Sequence, residues 1–484
     1  MRAWITGGGG MMGQHLTKFL IEKGYTVLST YYQPTTDIDE LHKDCIKMQC
    51  DMRDKEKVFS IVKDFQPDHI YHLAAQSFPT VSWEDPWYTM ETNVMGSINV
   101  FEAVKQFKPD TKILNACTSA EYGFVEPHET PIKEDHALNP LQPYGVSKLA
   151  QEKLAYQYFK NFNVKSISMR IFNTTGPKKI NDVCADFTKR LVEIELGINP
   201  EKKLTVGNVE TRRAITDVRD TIRGFYLALE HGEIGEVYNI SGEHLYRISD
   251  IIDILRRLVN FEFTLEADPK LFRLTDEAVI YGDSTKFKRA TNWQQEIQLE
   301  QTLKDMLDYW RIKLKSKAIF LDRDGVINQD TGHVGHIRDF KFIEGIFEPL
   351  RLMQSNGYQI IIITNQAGIP RGYHSKEEYE DTTKYMLEEF SKNGISISKV
   401  YHCPHLPEDN CPCRKPHPGM ILQAIKEFNI NPKDSWMIGD KPSDIDAGRA
   451  AGCNTLLLKS QYHNENALTN LSEASKIILK NNNL

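Results

Sequence analysis

At 484 residues the chain is longer than one ordinary core organises, and length alone predicts roughly three domains. A composition of 40% hydrophobic and 26% charged residues, without low-complexity tracts or a repeat of fixed period, excludes a disordered or solenoid protein. The formal net charge of −7 gives no electrostatic reason to expect nucleic acid or an anionic membrane as partner and leaves small anionic molecules as the fitting ligands.

In chain order, the opening "MRAWITGGGG" has no charged segment followed by an apolar run and a small-residue cleavage site, so no secretory signal is read. No apolar run reaches the ~18 residues of a membrane span. From Met1 to about Ile171, β-rich runs ("RAWIT", "YTVLSTYY", "HIYHLAA", "KILNAC", "SISMRIF") alternate with helical patterns, a βαβ rhythm that predicts a doubly wound parallel sheet. From about Asn173 to Leu314 the rhythm loosens into helices such as "VCADFTKRLVEIELG" and "ISDIIDILRRLV", predicting a smaller substrate lobe (172–314) over the sheet's carboxyl edge, where open α/β sheets bind ligands. A cationic segment, "RIKLKSK", then leads through a linker at 315–317 into a second βαβ unit over 318–471, with "AIFLDRDG", "YQIIIITNQ" and "DSWMIGD" as strands. A C-terminal tail follows at 472–484, and its polar end, "KIILKNNNL", is expected to fray.

"ITGGGGMMGQHLTKFLIEKG" sets Gly7, Gly10 and Gly13 between a first strand and an amphipathic helix. There a dinucleotide pyrophosphate can approach the free N–H groups and the positive dipole end. Asp51, in "QCDMRD", is placed to meet the adenine or to sit in a surface turn. The position about twenty residues past the glycines, where an acid would hold the ribose of NAD, falls in "LSTYYQ" and carries neither acid nor arginine; the reading leans to NADP(H), with NAD(H) kept open. Tyr144 and Lys148 in "PYGVSKLAQEK" are four apart and share a helix face, where the ammonium can lower the phenol's pKa. Thr118 ends the "KILNAC" strand and can bond the same oxygen, so a proton can be exchanged while hydride moves.

"TGGGGMMG", "HLAAQS", "TSAEYG" and "YGVSK" together resemble the extended short-chain dehydrogenase/reductases that modify nucleotide sugars, over Met1 to Leu314. Further along, "RIFNTTGP" and "VGNVETRRAITDVRD" are most similar to GDP-4-keto-6-deoxy-mannose reductases, with GDP-mannose 4,6-dehydratases next. The resemblance implies a catalytic triad of Thr118, Tyr144 and Lys148. It implies a cofactor site that adds Met11, Met12, Met52, Leu73, Ala74, Ala75 and Asn93 to Gly7, Gly10, Gly13 and Asp51, and a nucleotide-sugar site of Ser77, Asn173, Arg213 and Arg273. Ala214 and Leu274 depart from the Asp and Pro more usual after those arginines. Dehydratases of this branch carry an acid third in a Thr-Asp-Glu or Thr-Ser-Glu run, because elimination needs a base and an acid. Here that residue is Ala120, which favours simple carbonyl reduction; Glu121, one residue on, is read as structural, and a 4-epimerase stays open. Relatives commonly pair through two helices, so the resemblance implies a homodimer through this domain.

In the second half, Asp322 and Asp324 end a strand two apart and can face one pocket, as a carboxylate nucleophile and a proton donor for phosphoryl transfer. With Asp440 in "MIGDKPSD" they supply oxygen ligands for magnesium, while Thr364 can bind the phosphate and Lys415 can offset its charge. Cys403, His405, Cys411 and Cys413 crowd "CPHLPEDNCPCRKP" with the residue types of a closed, structural zinc site, ranked above His402 and His417, and reduced thiols place the chain in a cytosol. "DRDG", "ITNQAG" and "CRKPHPG" resemble the haloacid dehalogenase phosphatases, most of all the D-glycero-D-manno-heptose 1,7-bisphosphate 7-phosphatases, with histidinol phosphatases as kin. That resemblance implies Asp322 as nucleophile, Asp324 as acid/base and Asn365, Arg371 and Arg414 as sugar contacts. The whole is read as an α/β chain of two doubly wound units, a bifunctional enzyme joining a nucleotide-sugar reductase to a sugar-phosphate phosphatase.

Overall fold

The computed structural model describes residues 1–199, 201–271, 279–459 and 467–481. They divide into two compact units, 1–189 with 203–309, and 190–202 with 310–484. The division falls slightly before the expected linker at 315–317, and Lys317 already opens a strand. The segment 190–202 groups with the second unit, where Gln359 Nε2 donates to Leu196 O at 3.0 Å and Arg311 pairs with Glu195 at 2.9 Å.

In the first unit, strands β1 (Arg2–Thr6), β2 (Thr26–Tyr31), β3 (Ile46–Gln49), β4 (His69–His72), β5 (Lys112–Thr118) and β6 (Ser166–Ile171) join Val237–Ile240 in one seven-stranded sheet. From one edge the order is Val237–Ile240, β6, β5, β4, β1, β2, β3, and every pairing is parallel. Trp4, Ile5, Ile70, Tyr71, Ile113, Leu114, Ile167 and Met169 are all fully buried, so both faces are covered by helices, as the continuous apolar runs require. The strand order reverses between β1 and β4, the point at which such sheets open a ligand crevice. The smaller lobe contributes the strand Arg212–Ala214, flanked by Leu245–Arg247 and Val279–Ile280.

The second unit is a five-stranded parallel sheet ordered Ile397–Cys403, Tyr358–Asn365, Lys317–Leu321, Trp436–Gly439, Asn454–Leu457. Its central strand carries Asp322 immediately beyond its carboxyl end.

The end expected to fray is helical as far as Asn481, within the helix Leu471–Asn481, and 482–484 lie outside the described residues. Leu471, Ala474 and Ile478, at helical spacing, are buried in one core with Leu350 and Met353, and this apolar stripe orders the segment despite its polar composition. No helix among the described residues is long and apolar enough to cross a membrane. Replacing Ile478 by Ala should destabilise the second unit by about 2–5 kcal/mol, read as a lower midpoint in chemical denaturation, whereas a frayed tail would give no change.

Candidate active sites

The turn after β1 opens the first site. Gly7 has φ +72°, and a Cβ there would lie 2.8 Å from Ala74 N, so only glycine lets β1 and the chain after β4 approach this closely. The helix α1 (Met11–Glu22) begins at Gly10 with no side-chain cap, leaving its first N–H groups to a ligand. A cavity of about 430 Å³ lies against this turn, lined by Gly7, Gly10, Met11, Met12, Gly13, Leu73, Ala75, Ser77, Thr118, Tyr144, Lys148, Asn173 and Arg213 among others. This gathers most of the residues expected around cofactor and substrate. The lining also includes Thr35, Lys178 and Lys179, which sequence reasoning missed. Lys178 holds φ +76°, reaches Gln14 on α1 and pairs with Glu40 at 2.9 Å, contacts that no local pattern announces.

Four expected cofactor residues do not line the cavity. Asp51 is gripped by Arg53, at 2.7 Å from Nη2 and 3.1 Å from Nε, and that guanidinium lies over the Tyr88 ring. Met52 is buried against Gly96, and Ala74 N donates to Thr6 Oγ1 at 3.0 Å. Asn93 spans buried structure, meeting the backbone N and O of Gln76 and donating to Ser147 Oγ at 2.9 Å. Arg273 and Leu274 lie outside the described residues. Ala214 is buried in the small lobe's strand, with Arg213 beside it on the cavity.

Thr118 closes β5, and Tyr144 and Lys148 occupy the first turns of the helix Pro143–Phe162, whose proline at the first position suits a helix start. Burial pushes the Tyr144 phenol up to about 12, while the Thr118 hydroxyl pulls it back. The expected depression by Lys148 is not what this arrangement produces. The ammonium is turned to Ala116 O at 2.8 Å and Gln151 Oε1 at 2.9 Å, and burial lowers its own pKa.

Ala120 and Glu121 lie in the short 3₁₀ turn Ser119–Glu121, so strand alternation does not decide where Glu121 points. Capping does: Glu121 Oε1 accepts from Thr118 N at 3.0 Å, and Thr118 Oγ1 accepts from Ala120 N at 3.3 Å. Fully buried, Glu121 approaches Arg170 at 3.7 Å, while Arg170 is forked onto Glu152 at 2.7 and 2.8 Å. Burial first, then the Glu152 charge, hold the Glu121 carboxyl protonated well above the usual range.

The second site is a cavity of about 890 Å³ lined by Asp322, Asp324, Asn365, Arg371, Arg414, Lys415, Asp444 and others. Lys415, 4% exposed, binds Asp322 Oδ1 at 2.7 Å, Asp444 Oδ1 at 2.6 Å and Ile363 O at 2.8 Å. Ligand oxygens of Asp322, Asp440 and Asp444 lie within 4.8 Å of one another. Burial raises Asp322 and Asp440, and Lys415 works against it at Asp322. Three desolvated carboxylates around one ammonium fit a hard divalent cation such as magnesium. Of the expected carboxylates, Asp324 lines the cavity with its side chain turned to Arg323 (3.0 Å), Asn328 (3.0 Å) and Gln366 (3.2 Å), while Asp444, not among those expected, stands with Asp322 and Asp440. Asp444 was visible four residues past Asp440 at the start of the helix Pro442–Ala450. Gly325, at φ +92°, lets the chain pass against the Asp440 carboxylate, where any Cβ would collide.

Thr364 is buried behind the cavity, accepting from Gln366 at 2.8 Å, and is not among its lining residues. Asn365 clasps the backbone of Lys415, accepting from its N and donating to its O, both at 3.1 Å, so its side chain places the lysine. Arg371 lies at the cavity with His333, whose ring stacks on Tyr373. Cys403, His405, Cys411 and Cys413 converge, with Sγ···Sγ distances of 2.8–3.4 Å and His405 Nδ1 3.4 Å from Cys413 and 3.5 Å from Cys403. Their chemistry fits zinc in a closed site, and neither His402 nor His417 joins the cluster. Arg414 Nη1 donates to His405 O at 3.0 Å, which ties the clip to the cavity rim.

The family model described as GDP-mannose 4,6 dehydratase matches residues 4–306, and one described as HAD-hydrolase-like matches 412–482. The D-glycero-alpha-D-manno-heptose-1,7-bisphosphate 7-phosphatase of Campylobacter jejuni is 48% identical over 152 residues, 31% of this chain and 87% of that protein. The chain belongs to the GDP-mannose 4,6-dehydratase family and, in its C-terminal part, to the heptose-bisphosphate 7-phosphatase family. Among solved structures, the UDP-glucose 4-epimerase of Thermotoga maritima, with UDP-glucose, is similar at a TM-score of 0.60 and 25% identity, covering 65% of this chain and 100% of that one. RMD from Pseudomonas aeruginosa, solved with NADPH, is similar at 0.57 and 26%, covering 65% and 99%. The two-part α/β architecture read from the sequence is therefore that of the protein: a nucleotide-sugar dehydratase- or epimerase-like unit followed by a haloacid dehalogenase-like phosphatase unit.

Two measurements probe these sites. Glu121 stabilises the fold while protonated, so its contribution is present at acid pH and is lost as pH climbs from about 4.5 toward about 8. Glu121→Gln, which donates as the protonated acid does, should flatten that part of the stability–pH curve measured by denaturant unfolding; an unchanged slope would show the carboxyl ionised when folded. If the cluster holds zinc, Cys411→Ser should lower zinc content in elemental analysis and reduce phosphate release together, because Arg414 at the cavity is bonded to His405 O of the same cluster.

Proposed function

We propose that the chain is a bifunctional enzyme of nucleotide-activated sugar biosynthesis. The first unit reduces a GDP-4-keto-6-deoxy sugar of the mannose or heptose type, and the second removes the 7-phosphate of D-glycero-D-manno-heptose 1,7-bisphosphate. One observation carries the choice of reduction. Among the described residues lining the first cavity the only carboxylate is Asp182, and it is occupied as a helix cap, accepting from Ala185 N at 2.7 Å. Elimination of water needs a proton acceptor and a proton donor at adjacent carbons. Ala120 offers neither, and Glu121 is spent on Thr118 and the Arg170 network.

The glycine turn and the open end of α1 hold the pyrophosphate, and Lys148 holds the nicotinamide ribose. The dinucleotide supplies hydride to the carbonyl carbon when bound. Tyr144 delivers a proton to the carbonyl oxygen, and Thr118 bonds that same oxygen, positioning it and supporting the phenolate left behind. The lack of an acid at the end of β2 favours NADP(H), and RMD, solved with NADPH, supports the same choice.

In the second unit the Asp322 carboxylate attacks phosphorus to give an aspartyl-phosphate, and Asp324 donates a proton to the departing sugar oxygen. Asp324 then takes a proton from the water that hydrolyses the acyl phosphate, returning Asp322 to its starting form. Asp322, Asp440 and Asp444 would hold magnesium, which offsets phosphate charge when bound. Lys415 holds Asp322 in place, and Arg371 and Arg414 at the rim are the groups for the sugar and its second phosphate. The reading places the protein in the cytosol, with small-molecule partners and a homodimer formed through the first unit. The exposed Trp83 and Trp87 of that unit support such a contact.

Purified protein should release phosphate from the heptose bisphosphate and oxidise NADPH in the presence of a GDP-4-keto-6-deoxy sugar. Asp322→Asn should abolish the first activity by at least about a thousandfold and leave the second intact. Conversion of GDP-mannose to its 4-keto-6-deoxy product by the wild type would overturn reduction in favour of dehydration. Interconversion of 4-epimers without added dinucleotide would overturn it in favour of epimerisation.

A further inference from the structure

Lys148 is buried, 2% exposed, and an ammonium taken out of water needs an acceptor for each of its three donors. Two acceptors are fixed: Ala116 O at 2.8 Å and Gln151 Oε1 at 2.9 Å. Gln151 lies three residues further along the same helix, on the same face, and is itself fully buried. Its amide cannot turn over freely, because Nε2 donates to Asn115 Oδ1 at 2.5 Å; a flipped amide would set two carbonyl oxygens against each other. Asn115 is oriented in turn by donating through Nδ2 to the Gln151 backbone O at 3.5 Å, and it also meets Ser168 Oγ at 3.1 Å on β6. The chain Ser168–Asn115–Gln151–Lys148 thus runs from the sheet into the cavity, with the Gln151 amide held by Asn115 on one side and Lys148 on the other.

We infer that Gln151, oriented by Asn115, is a positioning residue that aims the remaining N–H of Lys148 at a ribose hydroxyl on the nicotinamide half of a bound dinucleotide. The inference rests on the reading of the first unit as a nicotinamide enzyme. It assigns to two buried amides the alignment that a flexible lysine stem cannot supply alone, since Lys148 otherwise has four rotatable bonds within reach of several backbone carbonyls.

Calorimetric titration of the purified full-length protein with NADPH, NADH and ADP tests it, because ADP carries the adenosine diphosphate half and lacks the second ribose. Gln151→Leu should weaken the preferred dinucleotide about tenfold or more and leave ADP within about twofold of wild type, the loss expected for one hydrogen bond to a charged group. Gln151→Glu, which keeps an acceptor facing the ammonium but sets an oxygen against Asn115 Oδ1, should recover only part of the affinity and lie between the leucine variant and wild type. Asn115→Ser, a gentler change to the same chain, should give a smaller selective loss and decides the matter where the leucine variant does not fold. Equal weakening of dinucleotide and ADP, or no weakening in either variant, would overturn the role of Gln151. A wild type that binds ADP but neither dinucleotide would instead overturn the nicotinamide reading on which the role depends.

Discussion

A charge removed from water must be paired where it stands, and each unit buries a cation around which its site is arranged. In the first unit, beside Lys148, this is Arg170 on β6, 3% exposed, which forks onto Glu152 and also donates to Tyr122 Oη at 2.8 Å and Glu134 O at 2.9 Å. Glu152 lies on the helix that presents Tyr144 and Lys148, so this pair fixes the helix against the sheet, with Thr118 on the neighbouring strand. Losing one partner of such a pair typically costs about 3–5 kcal/mol, because the other charge is stranded. In the second unit Lys415 plays the corresponding part, drawing Asp322 from one strand end and Asp444 from a helix start to a single point.

The parallel sheets explain why these constraints produce cavities rather than sealed cores. Parallel strands release their chains at the same edge, and Thr118, Asp322 and Asp440 all stand at or just beyond carboxyl ends. Helices cover both faces, so the carboxyl edge is where polar side chains can converge without interrupting a ladder. Burial then does chemical work. It raises the Tyr144 phenol, against which the Thr118 hydroxyl works, and it raises Asp322 and Asp440, so that a cation is favoured beside them.

What could be read from the sequence was what repeats or lies close together along the chain. The βαβ rhythm, the glycine turn, the Tyr144–Lys148 spacing and the cysteine cluster each occupy one short window. What could not be read were the directions of side chains once elements pack. Tyr144 and Lys148 share a helix face, yet the ammonium turns to Gln151 and Ala116, a choice made by Asn115 on another element. Asp51 has the right place after β3, yet Arg53 two residues later claims it. Asp324 follows Asp322 at strand spacing, but the strand stops at Leu321 and the turn beyond sends the two carboxylates to different partners. The helix Leu471–Asn481 was obscured because its polar residues dominate the composition while three buried positions fix the structure.

The two reactions proposed for one chain cannot be consecutive, and the chemistry of their substrates shows why. Removing the 7-phosphate leaves a sugar carrying phosphate on carbon 1, whereas the substrate proposed for the first unit is a nucleotide-activated sugar. Between them the anomeric phosphate must accept a nucleotidyl group, and the activated sugar must then acquire its 4-keto function by dehydration. On the proposed reading neither step falls to this chain: the first unit has Ala120 where dehydration would use an acid, and the second unit's carboxylates are those of phosphate removal. On that reading the product of one unit must leave the chain before its descendant returns to the other. Fusion of the units would then set equal amounts of an early and a late enzyme, and selection would act on each cavity separately, as their independent buried cations allow.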